Sequence, residues 1–419
     1  DVMFREKFDV AVIGAGAAGL AAAIGAREEG ASRVLILERD RELGGILPQC
    51  IHTGFGLRYF RENLTGPEYV HRFIQRVEDL RIERLLDTTV IKVNPDKSLL
   101  ATNSSFGPFT VRAKAIVLAM GCRERTRGAL VVPGTRPAGV FTAGTAQRLL
   151  DIEGFLPGRE IVVLGSGDVG MIMARRFATE GAHVKAVVEK TPYLGGLERN
   201  EVQCLRDFSI PLLLQHTVAE IHGKRRVEAI TLAKVDGEGS IVPGSEKRIR
   251  CDTLVLSVGL IPENELSEAA GIEIDPRTNG PKVDENMQTS VEGIFACGNV
   301  VHVNDLVDSV TEAGEIAGRC GAQYALGRLR PIVDGVEVLP GPGVRYVIPH
   351  KISGRKPVKL QLRATEPLLD ARVRVGRDLE ARRRVVKPPQ VVEVMLTGRM
   401  LEKLEKGSRI TVTVEGRSS

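Results

Sequence analysis

The sequence predicts an α/β fold: two three-layer units with parallel sheets, followed by a smaller β-rich segment. Three observations carry this. Residues 9–45 read as an apolar strand, a glycine turn, an Ala-rich helix and a second strand. Residues 160–196 repeat the pattern with the same spacing. From about Val333 the chain changes to short alternating runs, KLQLR, ARVRV, VVEVML and RITVTVE, separated by Pro and Gly. Such runs are the mark of a small β-sandwich.

The first unit opens with Phe8 to Ile13, expected to be a buried parallel strand. Gly14, Gly16 and Gly19 follow, then the helix pattern Ala17 to Glu29, stopped by Gly30. Val34 to Leu37 is the second strand, ending at Glu38. Each part suits a dinucleotide. Gly14 permits the tight turn, Gly16 lets the backbone approach a pyrophosphate, and Gly19 lets helix and strand pack closely. The helix N-terminus carries unpaired N–H groups and a partial positive charge, which attract phosphate. Glu38 can accept hydrogen bonds from ribose hydroxyls. The second Rossmann-like unit has Gly165, Gly167, Gly170 and Glu189 in the same places. In both, 19 residues separate the third glycine from the acid, and 6 separate the acid from a Gly-Gly pair. A lone glycine pattern is weak evidence, because such turns are common in loops. The recurrence of strand, turn, helix and acid together is strong evidence, and the chain is expected to bind two dinucleotides.

The remaining elements are read in order. Arg39 to Phe60 is Gly-rich and aperiodic, a loop. Thr65-Gly-Pro-Glu68 is a capping box opening a helix to about Leu80, with Val70, Phe73, Ile74 and Val77 on one face. Residues 88–93 and 109–113 alternate like antiparallel strands, and Lys114 to Ala119 is a buried strand ending in Met120-Gly121. Pro133, Gly134, Pro137 and Gly139 form a connector. Leu212 to Ile221, Val227 to Val235 and Arg248 to Val258 read as strands, the last closing on Gly259. Residues 291–298 form a short strand and turn. Val307–Leu326 is a helix with small residues on one side, suited to close packing.

Composition bounds the class. The chain has 419 residues, 43% hydrophobic and 26% charged, with a net charge of +5, as expected of a globular protein with large cores. No apolar run approaches the roughly 18 residues of a membrane-spanning helix, and no signal peptide is visible. The charge is uneven: residues 335–419 carry +9 and the rest −4. This basic tail has few aromatics, so a solvated face or a subunit-docking surface is expected rather than a nucleic-acid site. It is expected to dock on something rather than take part in chemistry. Cys50, Cys122, Cys204, Cys251, Cys297 and Cys320 include no C-x-x-C pair, which argues against a disulfide framework, a zinc site or an iron–sulfur cluster. No metal site is expected, and a reducing cytoplasm fits best.

On these motifs the chain resembles the two-dinucleotide-binding-domain flavoproteins, the superfamily of glutathione reductase, thioredoxin reductase and NADH oxidase. Ala119-Met-Gly121, Ser257-Val-Gly259 and Gly293-Ile-Phe-Ala-Cys-Gly298 match further turns of that superfamily over about residues 7–330. The stretches GCRERTRG, PGTRPAGVFTAGTAQR and GGILPQCIHTGFG resemble subunits found with proline, opine and glycerol-3-phosphate dehydrogenases and hydrogen cyanide synthase. The resemblance implies an FAD domain of residues 1–122 and 258–332, an inserted NAD(P)H domain of residues 123–257, and a tail domain of residues 333–419. It places FAD against Gly14, Gly16, Ala17, Gly19, Glu38, Arg39, Gly45, Ile46, Val90, Ala119, Gly121, Gly298 and Asn299. It places NAD against Gly165, Gly167, Asp168, Gly170, Glu189 and Gly259. Asn299 stands where the family usually has Asp, and it can still hydrogen-bond ribitol or phosphate. The paired cysteines of glutathione and thioredoxin reductases are missing, so their dithiol chemistry is not expected.

Glu189 would accept the 2′-hydroxyl of NADH and repel the 2′-phosphate of NADPH, although Lys190 and Arg199 lie near enough to rescue a phosphate. Cys50 has two readings: a redox thiol cycling through sulfenate, or a small apolar residue in a turn. His52 is either a proton donor beside the flavin or structural. Cys297 reads as packing. The expected activity is FAD-dependent oxidation of NADH, with electrons passing to a second acceptor. Two alternatives stand beside it: the flavoprotein subunit of a proline, opine or glycerol-3-phosphate dehydrogenase complex, and a nucleotide-binding assembly subunit without turnover. The partners implied are a small-molecule acceptor or a dehydrogenase subunit, with oligomerisation expected.

Overall fold

The computed structural model describes residues 3–377 and 379–418. They fall into two compact units, residues 1–48, 53–122 and 262–419 in one and residues 49–52 and 123–261 in the other.

The first unit begins with β1 (Met3–Ile13), α1 (Ala17–Glu28), β2 (Val34–Leu37), α2 (Gly66–Asp79), β3 (Glu83–Leu85), β4 (Thr88–Val93), β5 (Ser98–Asn103) and β6 (Gly107–Leu118). The sheet order is β3-β2-β1-β6-β5-β4, with β1 parallel to both neighbours. The β1–β2 register pairs Val10 with Val34 and Ile13 with Leu37, so both strands end level and the glycine turn and Glu38 emerge side by side. Two expectations need correction. The stretches 109–113 and 114–119 are one strand, β6, whose first half pairs with a hairpin partner and whose second half lies in the parallel core. That partner, β5, was not anticipated; Leu99 and Ala101 are fully buried within it and alternate with the half-buried Ser98, Leu100 and Thr102. The capping box at Thr65 is present, with Glu68 Oε2 accepting from Thr65 N at 2.8 Å.

The second unit contains β7 (Val140–Thr142), α3 (Ala143–Asp151), β8 (Glu160–Leu164), α4 (Asp168–Thr179), β9 (His183–Glu189), β10 (Leu212–Leu214), β11 (His216–Gly223), β12 (Val227–Lys234), β13 (Lys247–Arg250) and β14 (Thr253–Leu256). A parallel sheet, β7-β14-β8-β9-β10, carries the second glycine turn, and an antiparallel sheet, β11-β12-β13, covers part of it. Two expected strands are each divided. Leu212–Ile221 breaks at Gln215, whose φ of 55° is incompatible with a continuing strand. Arg248–Val258 turns at Cys251 and Asp252, so that one half joins the antiparallel sheet and the other the parallel one. Helix α3 was not anticipated.

The chain returns to the first unit with β15 (Ile294–Ala296), parallel to β6, and α5 (Val307–Ala325). A Cβ at Gly314 or Gly318 would run into the backbone of Ala18 or Ala22. The small residues of α5 therefore let it lie backbone to backbone on α1, as their spacing predicts. The tail supplies β16 (Val336–Pro340), β17 (Val344–Ile348), β18 (Lys351–Ile352), β19 (Val358–Ala364), β20 (Leu368–Val375), β21 (Leu379–Val386), β22 (Val392–Leu396) and β23 (Arg409–Ser418). They form the sheets β18-β16-β23-β20-β21 and β17-β19-β22 around one apolar core that includes Val338, Leu360, Leu362 and Val373. The alternation in the sequence is real: Leu360 and Leu362 face that core, while Lys359, Gln361 and Arg363 face the other way.

Candidate functional site

The two glycine turns are built alike. Gly14 has φ +96°, and a Cβ there would enter the Ala119 carbonyl; Gly165, at φ +106°, meets the Ser257 carbonyl in the same way. Both positions need a residue without a side chain. Each turn leads into a helix whose first residue follows a glycine N-cap, Gly16 or Gly167, with no side chain bonded to the helix end. The first-turn N–H groups are thus left for an external acceptor.

The acids are held identically in the two units. Glu38, 5% exposed, accepts from Ala15 N at 2.6 Å and from Asp40 N at 2.9 Å. Glu189 accepts from Ser166 N at 2.9 Å and Thr191 N at 3.0 Å. Each acid thus ties the residue after the first glycine to the residue two beyond itself. The backbone N–H donors fix each carboxylate's orientation beside its turn. Ser166 adds its hydroxyl to Glu189 at 2.7 Å. The sequence reading missed Ser166 and Thr191; their offsets, matching Ala15 and Asp40, were the available signal.

Gly44, Gly45 and Ala119 lie against the same turn. Gly44 N donates to Ala15 O at 2.8 Å, bringing the 44–46 loop across it. A Cβ on Gly45 would stand 2.8 Å from Gly16 Cα, so the two glycines leave a cradle that side chains would fill. Ile46 and Arg39 are exposed, Ala17 and Ala119 buried, and a Cβ on Gly121 would meet open space. Val90 is half-buried on β4, beyond Thr88, whose N–H bonds Glu38 O at 2.9 Å. An open glycine cradle, a free helix end and the buried carboxylate of Glu38 beside them fit an FAD diphosphate and adenosine. The second turn fits a nicotinamide nucleotide on the same grounds, with Gly170 packed on the turn and Gly259 exposed. Asp168 differs from its counterpart Ala17: its carboxylate accepts from Leu197 N at 2.8 Å and Asn200 Nδ2 at 2.7 Å. It fixes the segment after the Gly-Gly pair.

Cys50 and His52 belong to the second compact unit. Gln49 donates to Gly144 O at 2.9 Å and Gln147 Oε1 at 3.0 Å, and the Cys50 thiol lies 3.9 Å from the same oxygen. Burial, reinforced by the Asp151 charge, pushes the Cys50 thiol up to about 12. A thiol so held is protonated at neutral pH and is a poor nucleophile, which favours the turn-packing reading over the redox one. His52 is half-buried, near enough to Asp151 to favour that acid's charged form; burial nonetheless raises Asp151. Cys297 is fully buried, its thiol likewise pushed up to about 12.

The third turn, Gly298-Asn299, closes on itself. Asn299 Oδ1 accepts from Asn304 N at 3.0 Å, and its Nδ2 donates to Cys122 Sγ at 3.7 Å. Beyond it the chain meets the tail. Arg363, 9% exposed, donates to Val303 O at 2.9 Å, Asp305 Oδ1 at 2.7 Å and Tyr346 Oη at 2.9 Å. His302 is buried between Tyr346 and Gln361. The basic tail is therefore not simply a solvated or docking face: the polar side of β17-β19-β22 covers residues 302–312 of its own chain.

The comparisons agree with this geometry. The pyridine nucleotide-disulphide oxidoreductase family model matches residues 8–317. An opine oxidase subunit of Agrobacterium tumefaciens (strain Ach5) is 26% identical over 78% of this chain and 66% of its own length. The corresponding protein of Rhizobium meliloti is 27% identical, with 63% of its length matched, so the matched region falls short of two thirds of either relative. Thioredoxin reductase of Peptoclostridium litorale is 27% identical over 76% of this chain and 98% of its own. The crystal structure of T. acidophilum thioredoxin reductase superposes with a TM-score of 0.63 at 24% identity, covering 77% of this chain and 99% of that one, a likeness of fold. Among the described residues no helix is long and apolar enough to cross a membrane. With the family model spanning both glycine turns and their acids, the chain belongs to the pyridine nucleotide-disulphide oxidoreductase family, whose cofactors are FAD and NAD(P)H.

Proposed function

We propose that this chain oxidises NADH and passes the electrons to an acceptor other than a thiol–disulfide couple. The observation that carries the reading is the duplicated turn, in which Glu38 and Glu189 are held by the same pair of backbone donors. Bound FAD supplies hydride acceptance and electron storage. The chain's residues bind and orient. The α1 and α4 N-termini face the phosphates, and the glycines keep side chains away from them. Glu189 is held by the Ser166 and Thr191 backbone donors, so it would receive a ribose 2′-hydroxyl and disfavour a 2′-phosphate. Cys50 is protonated and buried, which leaves it no part in disulfide exchange at neutral pH.

A second reading makes the acceptor a partner dehydrogenase that oxidises an opine, proline or glycerol 3-phosphate. Both opine oxidase relatives are subunits rather than whole enzymes, which favours it. Steady-state turnover tests both. The holoprotein with NADH should reduce a quinone or dye and leave an aromatic disulfide untouched. Rapid disulfide reduction without dye reduction would overturn the proposal, and dye reduction that requires a co-purified partner would establish the second reading.

A further inference from the structure

We infer that the tail clamps the flavin-binding turn and that Arg363 is the positioning residue of this clamp; the inference rests on the reading that Gly298 and Asn299 contact FAD. Such a role goes beyond what the tail's charge predicts. Arg363 lies on β19 facing away from the sandwich core, where alternation would put a solvated side chain. It is instead among the buried charged residues, and its donors are directed to defined acceptors. Nε donates to Tyr346 Oη, Nη2 to Val303 O and Asp305 Oδ1, and Nη1 to Pro388 O and Pro389 O. Asp305 is held from a second side, its Oδ2 accepting from Val391 N at 2.6 Å. A planar fork that joins five acceptors fixes their relative positions more strictly than a lysine could.

The grip extends along the segment. Tyr346 Oη, which accepts from Arg363, donates to His302 Nδ1 at 3.2 Å, and His302 Nε2 donates to Gln361 Oε1 at 3.2 Å. Gln361 Nε2 and Ser309 Oγ both donate to Glu393 Oε1, at 3.2 and 3.1 Å. Residues 302, 303, 305 and 309 are thus bonded to three tail strands, and Asn304 between them is bonded to Asn299. The loop that carries Asn299 has one end on β15 and the other on the tail. Releasing the tail end frees the turn that is read as meeting the cofactor.

The test uses the full-length holoprotein. Tyr346→Phe keeps volume and removes the hydroxyl's bonds to Arg363 and His302; Asp305→Asn keeps volume, removes the charge and leaves one oxygen where Arg363 and Val391 each had their own; Arg363→Lys keeps charge and loses the fork. Three quantities are measured: the FAD dissociation constant by refilling flavin-stripped protein, amide hydrogen exchange at residues 299–306, and exchange at residues 14–20 as an internal reference. Loss of these bonds is expected to speed exchange at 299–306 and weaken FAD by about tenfold, with residues 14–20 unchanged. Arg363→Lys should show the larger effect. Unchanged exchange at 299–306 in folded Tyr346→Phe and Asp305→Asn would overturn the clamp. Asn299→Ala separates the two ideas: if it leaves FAD affinity intact, the reading of the flavin turn fails, while faster exchange in the tail variants still supports the clamp.

Discussion

Acid is predicted to destabilise the clamp through His302. The ring is 3% exposed, receives the Tyr346 hydroxyl at Nδ1 and donates from Nε2 to Gln361. In the neutral ring Nε2–H donates to Gln361 Oε1 while Nδ1 accepts from the Tyr346 hydroxyl, whose oxygen accepts from Arg363. Burial, then the Arg363 charge, depress His302 from 6.5 to about 4; His350 adds to the depression, while the Gln361 bond and Glu393 oppose it. The sign follows from proton counting. Above pH 6.5 the ring is neutral folded and unfolded, and the group contributes nothing to pH dependence. Between 6.5 and about 4 the unfolded chain binds the proton and the folded one does not, so stability falls with pH. The loss reaches ~2 kcal/mol at about pH 5 and saturates near ~3 kcal/mol below about pH 4. Urea unfolding of the parent and of His302→Gln, at about pH 7.5 and about pH 5, isolates the group, since carboxylates common to both proteins cancel. The parent should lose about 2 kcal/mol more than the variant over that interval. Parallel losses would refute the assignment of a neutral buried ring.

Further outcomes are expected. Gly16→Val should put a side chain into the cradle against Gly45 and abolish FAD binding, read from flavin absorbance after purification; full occupancy would contradict the cradle. Glu189→Gln keeps one acceptor oxygen, for Ser166 or Thr191 but not both, and removes the charge, so it should narrow the NADH preference by about tenfold in kcat/KM. Cys50→Ser should leave the reductive half-reaction intact in stopped flow. With its thiol at about 12 rather than 9, the parent Cys50 should alkylate about a thousandfold more slowly than an ordinary cysteine at neutral pH. Truncation after Asp334 removes every tail donor to residues 302–312 and should cost flavin retention, read by gel filtration with absorbance; a flavin-saturated, folded remainder would show that the tail is dispensable.

The fold was legible where one physical requirement dominates. The glycine turns could be read because a parallel strand, a close backbone approach and a helix end leave few residue choices, and the second copy removed the doubt of the first. The small-residue face of α5 was legible for the same reason, since Gly314 and Gly318 admit no Cβ. Strand breaks at Gln215 and at Cys251-Asp252 were not legible, because the residues on either side of each break form strands and the pairing partners decide where they turn. The roles of Arg363, Tyr346 and Gln361 were hidden for a related reason. Alternation tells which residues leave the sandwich core, but not whether the opposite face meets water or another part of the chain. For Cys50 the sequence placed the residue but not its burial, and burial decides whether it is a nucleophile.

On the proposed function, FAD and NADH act together on this chain, with NADH as donor. Anaerobic titration of the purified yellow protein with NADH, followed at about 450 nm, tests it most directly. Bleaching should be complete near one equivalent per FAD, with NADPH far slower. A fully FAD-loaded protein whose spectrum does not change on adding excess NADH would contradict it.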